Sequence, residues 1–118
     1  MADKLYGGYP ASIGNKTASM LRHVGPASYT VVSPGTTPTG GDAILPSAFG
    51  LKFIEYMAPA VSEDGAYFVM PVPVGNKLGQ YLLRWFVIAG GPPAAMLEVT
   101  AAAPLSSYAV HLYAIGLP

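Results

Sequence analysis

Glycine and proline interrupt this chain so often that no long helix fits between them. There are 14 glycines and 12 prolines in 118 residues. Proline removes a backbone donor and glycine adds backbone freedom, so both end regular segments. What survives between them are short runs, several rich in β-branched and aromatic residues, at 19–24, 28–32, 43–45, 51–57, 66–74, 81–89, 94–100 and 107–115. Such residues suit a pleated sheet. No amphipathic stretch of about 10 to 15 residues separates the runs, as the crossover helices of a parallel sheet would require. The chain is therefore expected to be all-β, an antiparallel β-sandwich or barrel of about seven to eight strands. Its length suits one domain, at 18–118, preceded by an extended N-terminal arm at 1–17.

The arm reads Leu5-Tyr6-Gly7-Gly8-Tyr9-Pro10 and then Gly14-Asn15-Lys16-Thr17. Its glycines discourage regular structure, while Tyr6 and Tyr9 are costly to leave in water, so the arm is expected to dock, plausibly on another chain. Prolines and glycines fill half of 33–42, an irregular loop. Asp64-Gly65 signals a hairpin joining 51–57 to 66–74, and Pro71 and Pro73 mark the latter as an edge strand or a strand end. Turns are expected at 75–79 and 90–93. The strongest strand is 81–89, with Leu83, Trp85 and Val87 on one face, Leu82, Phe86 and Ile88 on the other, and Arg84 as its only charge. A strand apolar on both faces needs cover on both. The second cover is expected from another subunit.

Composition points the same way. Hydrophobic residues make up 52% and charged ones 10%, where soluble domains carry about 25% charged residues. Lipid is not the expected cover, because a spanning helix needs roughly 20 consecutive apolar residues. The longest candidate, 81–97, is broken by Arg84 and by Gly90-Gly91-Pro92-Pro93. The net charge is zero, with six basic and six acidic residues scattered singly, so no nucleic-acid partner is expected. The opening Met1-Ala2-Asp3-Lys4 has no apolar signal region and the chain has no cysteine, which suits synthesis in cytoplasm.

Few side chains are available for catalysis. His23, beside Arg22 and before Gly25, reads as a surface residue at a strand end, and His111 as a partly buried or interface histidine with a satisfied nitrogen. A metal site from the two with Asp42 or Glu98 has no supporting ligand spacing. Glu63 and Asp64 read as a solvated hairpin tip. Glu55 and Arg84 are lone charges in apolar strands and call for ion pairs, with Glu98 and Lys52 as further members. The glycine pairs lack a phosphate-binding pattern, and no G-x-S-x-G occurs. No enzyme activity and no cofactor are expected. Eight tyrosines, four phenylalanines and Trp85 instead suit interfaces or sugar stacking. Only Asn15, Asn76 and Gln80 carry side-chain amides, which tells against sugar. The candidate interface residues are Leu5, Tyr6, Tyr9, Phe53, Tyr56, Arg84, Trp85, Phe86 and Tyr113.

The opening Met1-Ala2-Asp3-Lys4-Leu5-Tyr6-Gly7-Gly8-Tyr9-Pro10, the segment Ser28-Tyr29-Thr30-Val31-Val32-Ser33-Pro34-Gly35 and the terminal Leu112-Tyr113-Ala114-Ile115-Gly116 resemble the small β-rich capsid decoration, or cement, proteins of tailed bacteriophages. The resemblance implies a non-enzymatic virion structural protein on the outer capsid surface. It would form a dimer or trimer, stabilise contacts between major capsid protein subunits, and lace its arm onto a neighbour. A phage tail, neck or baseplate component is one alternative, and a glycan- or receptor-binding β-sandwich module is another.

Overall fold

The computed structural model describes residues 3–13, 15–33, 35–75, 79–88 and 97–118, and of 7–13 the course of the backbone alone. The turn expected at 76–78, the break at 90–93, residues 89 and 94–96, and the side chain of Tyr9 lie outside the described residues.

Among the described residues, nine strands form two antiparallel sheets packed face to face. The first sheet orders β1 (Lys4–Ile13), β2 (Lys16–Val24), β9 (Ala109–Leu117) and β4 (Phe53–Met57) as β1-β2-β9-β4. The second orders β3 (Asp42–Ile44), β7 (Tyr81–Val87), β6 (Tyr67–Pro73) and β5 (Ala60–Val61) as β3-β7-β6-β5, with β8 (Leu97–Glu98) also on β7. A 3-10 turn at Pro46–Phe49 joins β3 to β4. Among the described residues no helix is long and apolar enough to cross a membrane.

The arm is where the fold departs most from expectation. Residues 4–13 are extended, but as a strand laddered to β2, and the boundary expected at 17 falls inside β2. The glycines act locally: register shifts interrupt the ladder between Leu5 and Gly8 and between Tyr9 and Ser12. Irregular pairing of this kind is one way an edge strand avoids templating further strands. The segment 28–32 is not a strand either. It belongs to a loop that carries the Ser33–Thr39 bridge and backbone bonds from Gly41 to Thr30 and from Tyr29 to Ala103, and this loop lies over the second sheet.

The hairpin at Asp64-Gly65 forms, with Gly65 at φ +77°, but the strand before it is β5. The segment read as one strand, 51–57, contributes β4 to the other sheet, and Pro59 lies at the crossing between sheets. Backbone bonds from Ala58 to Tyr113 and from Glu63 to Ala109 keep the crossing beside β9. Pro71 and Pro73 lie on the half of β6 that only β7 pairs, since β5 reaches no further than Val69. Prolines without donors fit that free edge.

The core lies between the sheets. Leu21, Ile54, Val110, Leu112 and Ala114 face Ile44, Val69, Leu83 and Trp85, with Tyr29, Phe49, Leu51 and Leu105 closing the ends. The second face of β7 has a nearer cover than another subunit. The same chain's loop folds over it: Val32 is buried, Gly41 packs against Leu82, and Val32, Gly35, Pro38, Val72 and Arg84 line a cavity of about 210 Å³. Among the described residues, Val31 of the loop and, beyond it, Val87, Ile88 and Leu97 are exposed.

Candidate functional site

Alternation along the strands sorts the candidate interface residues onto different surfaces. On the first sheet, β2 pairs Met20 with Tyr113 and Ala18 with Ile115, so these side chains share the outward face. On β4 a bulge between Ile54 and Tyr56 breaks the alternation, so that Glu55 and Tyr56 are both exposed between the buried Ile54 and Met57. Tyr56 and Tyr113 are thereby about half exposed, at 56% and 49%. Tyr6 stacks on His111, with ring centroids 6.0 Å apart, and Lys4 Nζ lies 5.3 Å from the Tyr6 ring. Leu5 is also exposed.

Charges cap this face at both ends of its strands, and they are paired. At one end Lys16 Nζ donates to Glu55 Oε1 at 2.6 Å across β9. At the other the Arg22 guanidinium grips Glu63 through two bonds of 2.7 and 2.9 Å, and His111 Nε2 lies 2.7 Å from the same carboxylate. The bonds from Arg22, then from His111, hold the Glu63 carboxyl down at about 2. The expected solvated tip is thus a salt-bridged corner. Asp64 faces inward to the turn, accepting from Ser62 Oγ at 2.7 Å and from the Ala66 N–H.

Arg84 and Phe86 lie on the opposite side of the molecule, on the outer face of the second sheet. The guanidinium lies 5.0 Å from the Phe86 ring and donates to Glu98 Oε1 at 3.0 Å, which answers the pairing expected of a lone strand charge. Phe53 is half-buried and lines a cavity of about 310 Å³ with Pro73, Gln80 and Tyr81. Trp85 is 0% exposed, so as a candidate interface residue it is corrected to a core residue. Its inward parity, shared with Leu83, takes it into the space between the sheets.

Around Trp85 the structure gathers polar residues that sequence reasoning did not connect. β3 and β8 each pair part of one edge of β7 and leave a gap at Trp85. Tyr29 fills it: its hydroxyl accepts from the Trp85 N–H at 3.2 Å and donates to Glu98 Oε2 at 2.7 Å. Glu98 accepts also from the Val32 N–H at 2.9 Å. Burial favours the neutral acid, but bonds from Val32, Tyr29 and Arg84 outweigh it and hold Glu98 below the ordinary range. Burial, then the bond to Glu98, raises the Tyr29 hydroxyl well above its ordinary value.

On the other side of Trp85 its indole Nε1 donates to Asp42 Oδ2 at 3.2 Å, and His23 Nε2 lies 2.6 Å from the same oxygen. His23 Nδ1 lies 2.6 Å from Asp3 Oδ2, while Asp3 Oδ1 accepts from the Val24 N–H at 2.8 Å. His23 was expected at the surface and is instead buried, as is Asp42. The signal for it is parity: Ser19, Leu21 and His23 alternate on one face of β2, and that face is inward. Nothing local in the sequence brings Asp3 or Asp42 to it.

The cluster is a chain of hydrogen bonds running from Asp3 through His23 and Asp42 to Trp85. Both ring nitrogens of His23 are occupied by carboxylates, so neither is left to accept a proton from a nucleophile. The carboxylates bind different nitrogens and do not converge on a point. Among the described residues no group of three or more His, Cys, Asp or Glu is placed to hold a metal ion. In comparisons with protein-family models, curated proteins and solved structures, nothing matches this chain.

Proposed function

We propose that this protein is a non-enzymatic virion structural protein, a capsid decoration protein that binds a second copy of itself and a major capsid protein through the outward face of the first sheet. The observation that carries the reading is that face. Its middle holds Met20, Ile115, Tyr56 and Tyr113, and at its strand ends Lys16 pairs with Glu55 and Arg22 with Glu63. An apolar, aromatic centre with a charged rim is the anatomy of a protein interface. The charge arrangement also suits a second copy. A two-fold axis in the plane of contact, running across the strands, sets the Lys16–Glu55 end of one copy over the Arg22–Glu63 end of the other. Each charge can then find an opposite partner across the contact.

Sedimentation of the wild type and of Tyr113→Arg tests the self-association. The wild type should associate at micromolar concentration, and Tyr113→Arg should weaken this at least about tenfold, since it buries an unpaired charge at the centre. Leu97→Ser, on the second sheet, should have no effect. A wild type that stays monomeric at high micromolar concentration, or a Tyr113→Arg variant that associates unchanged, overturns the self-association. Cryo-EM of the native particle tests the capsid contact. Density for this chain in a tail or baseplate would reassign it, and a glycan-array signal lost with Tyr56→Ala would favour a glycan-binding module.

A further inference from the structure

We propose that Asp3, His23 and Asp42 form a proton-operated latch that holds the leading end of β1 on its own sheet and releases it when the imidazole loses a proton. The geometry requires two donors on the ring. Each nitrogen of His23 lies 2.6 Å from a carboxylate oxygen, a distance that fits N–H to O⁻ on both sides. A neutral imidazole has one bare lone pair, which at that distance faces a negatively charged oxygen.

The two sides of the ring are unequal, and this decides which contact fails. Asp42 is buried and receives a second donor from Trp85 Nε1. Removing the proton on Nε2 would leave a buried carboxylate with only that longer bond, so the remaining proton stays on Nε2. Nδ1 loses its proton to solvent, and the partly exposed Asp3 is repelled toward water. With it goes the Asp3 acceptor of the Val24 N–H.

Besides the latch, that end of β1 is held by the stack of Tyr6 on His111 and by a short stretch of ladder. Lys4 and Leu5 pair with Arg22 and Leu21, and the first register shift follows at once. Among the described residues, the other charged groups on the neighbouring elements do not face the ring: Arg22 on β2, Lys4 on β1 and His111 on β9 lie on the sheet's outward side, and the 3-10 turn that packs on β2 carries no charge. Burial opposes the charged ring, yet the bonds and fields of Asp42 and then Asp3 prevail and raise the His23 pKa above its ordinary 6.5. The latch is therefore closed at and below the ordinary imidazole value and opens as pH rises through the raised one.

Hydrogen exchange tests this, on the full chain at about pH 6 and about pH 9, with labelling times scaled to intrinsic exchange and His23 protonation followed by nitrogen NMR. The wild type should lose at least about tenfold protection at Lys4 and Val24 at the higher pH while β9 keeps its own. Asp3→Asn, at a partly exposed position that leaves the core intact, should abolish the pH dependence at Lys4. Three results would overturn the latch: His23 titrating with no change at Lys4, His23 holding one protonation state throughout, or the pH dependence persisting in Asp3→Asn. A loss shared equally by β9 would do so as well, since it would report global unfolding.

Discussion

Trp85 illustrates how much a single residue's surroundings matter here. Its side chain answers to Asp42 and its main chain to Tyr29, so one core residue ties together two polar networks, one through β3 and one through β8, along the same edge of β7. Asp42 is the residue whose loss should cost most. Asp42→Ala leaves His23 with a buried nitrogen and Trp85 with an indole N–H, both without acceptors. Removing one partner of a buried pair costs about 3–5 kcal/mol, and urea unfolding should show a loss of that size. A change within about 1 kcal/mol would mean that water replaces the carboxylate. The stability that charged His23 confers is full below the ordinary imidazole value and disappears as pH rises through the raised folded value. Glu63 behaves oppositely: its contribution is present above 4.5 and is lost as pH falls toward about 2.

Elements in this molecule are shaped by backbone access as much as by side-chain pattern. Gly116 sits opposite Ile54 in the β4–β9 ladder, and a Cβ there would run into the Phe53 carbonyl. Gly116→Ala should therefore push β4 off its register and cost about 1–3 kcal/mol. Because the β4 bulge is what sets Glu55 and Tyr56 outward together, the same variant should weaken the Lys16–Glu55 bond. Crosslinking or a shifted Lys16 Nζ resonance would register it, and wild-type stability with an unmoved resonance would refute the steric account. The start of β7 and its two apolar faces were readable from alternation, although the strand expected at 81–89 ends at Val87, and so were the prolines of β6 and the turn at Gly65. Which strand each would pair with was not, because pairing partners are chosen by shape across the whole sheet and by where the chain crosses between sheets.

At the scale of the whole molecule, the segment read as an arm is a structural edge of the first sheet. Deleting residues 1–10 therefore removes most of β1 and the Asp3 contact, uncovering the edge of β2. The melting temperature should fall by about 4 °C for each kcal/mol lost, and by several degrees in all. An unchanged melting temperature with weakened association would restore the reading of a free arm. Among the described residues, exposed large apolar side chains include Tyr56 and Tyr113 on the outward face of the first sheet and Val61, Val87, Ile88 and Leu97 at the second.

Some of this was decided along the chain and some only across it. Glycine and proline spacing with β-branched and aromatic runs sufficed for an all-β fold without crossover helices, since those preferences act over a few residues. Exposure of Tyr6, Tyr56 and Tyr113 could be anticipated as interface chemistry for the same reason. The burial of Trp85, the cover that 28–41 places over β7, and the meeting of Asp3, His23 and Asp42 required the two sheets to be stacked. Those residues are 19 to 43 positions apart, and no local preference encodes a contact whose partners are brought together only when the core closes.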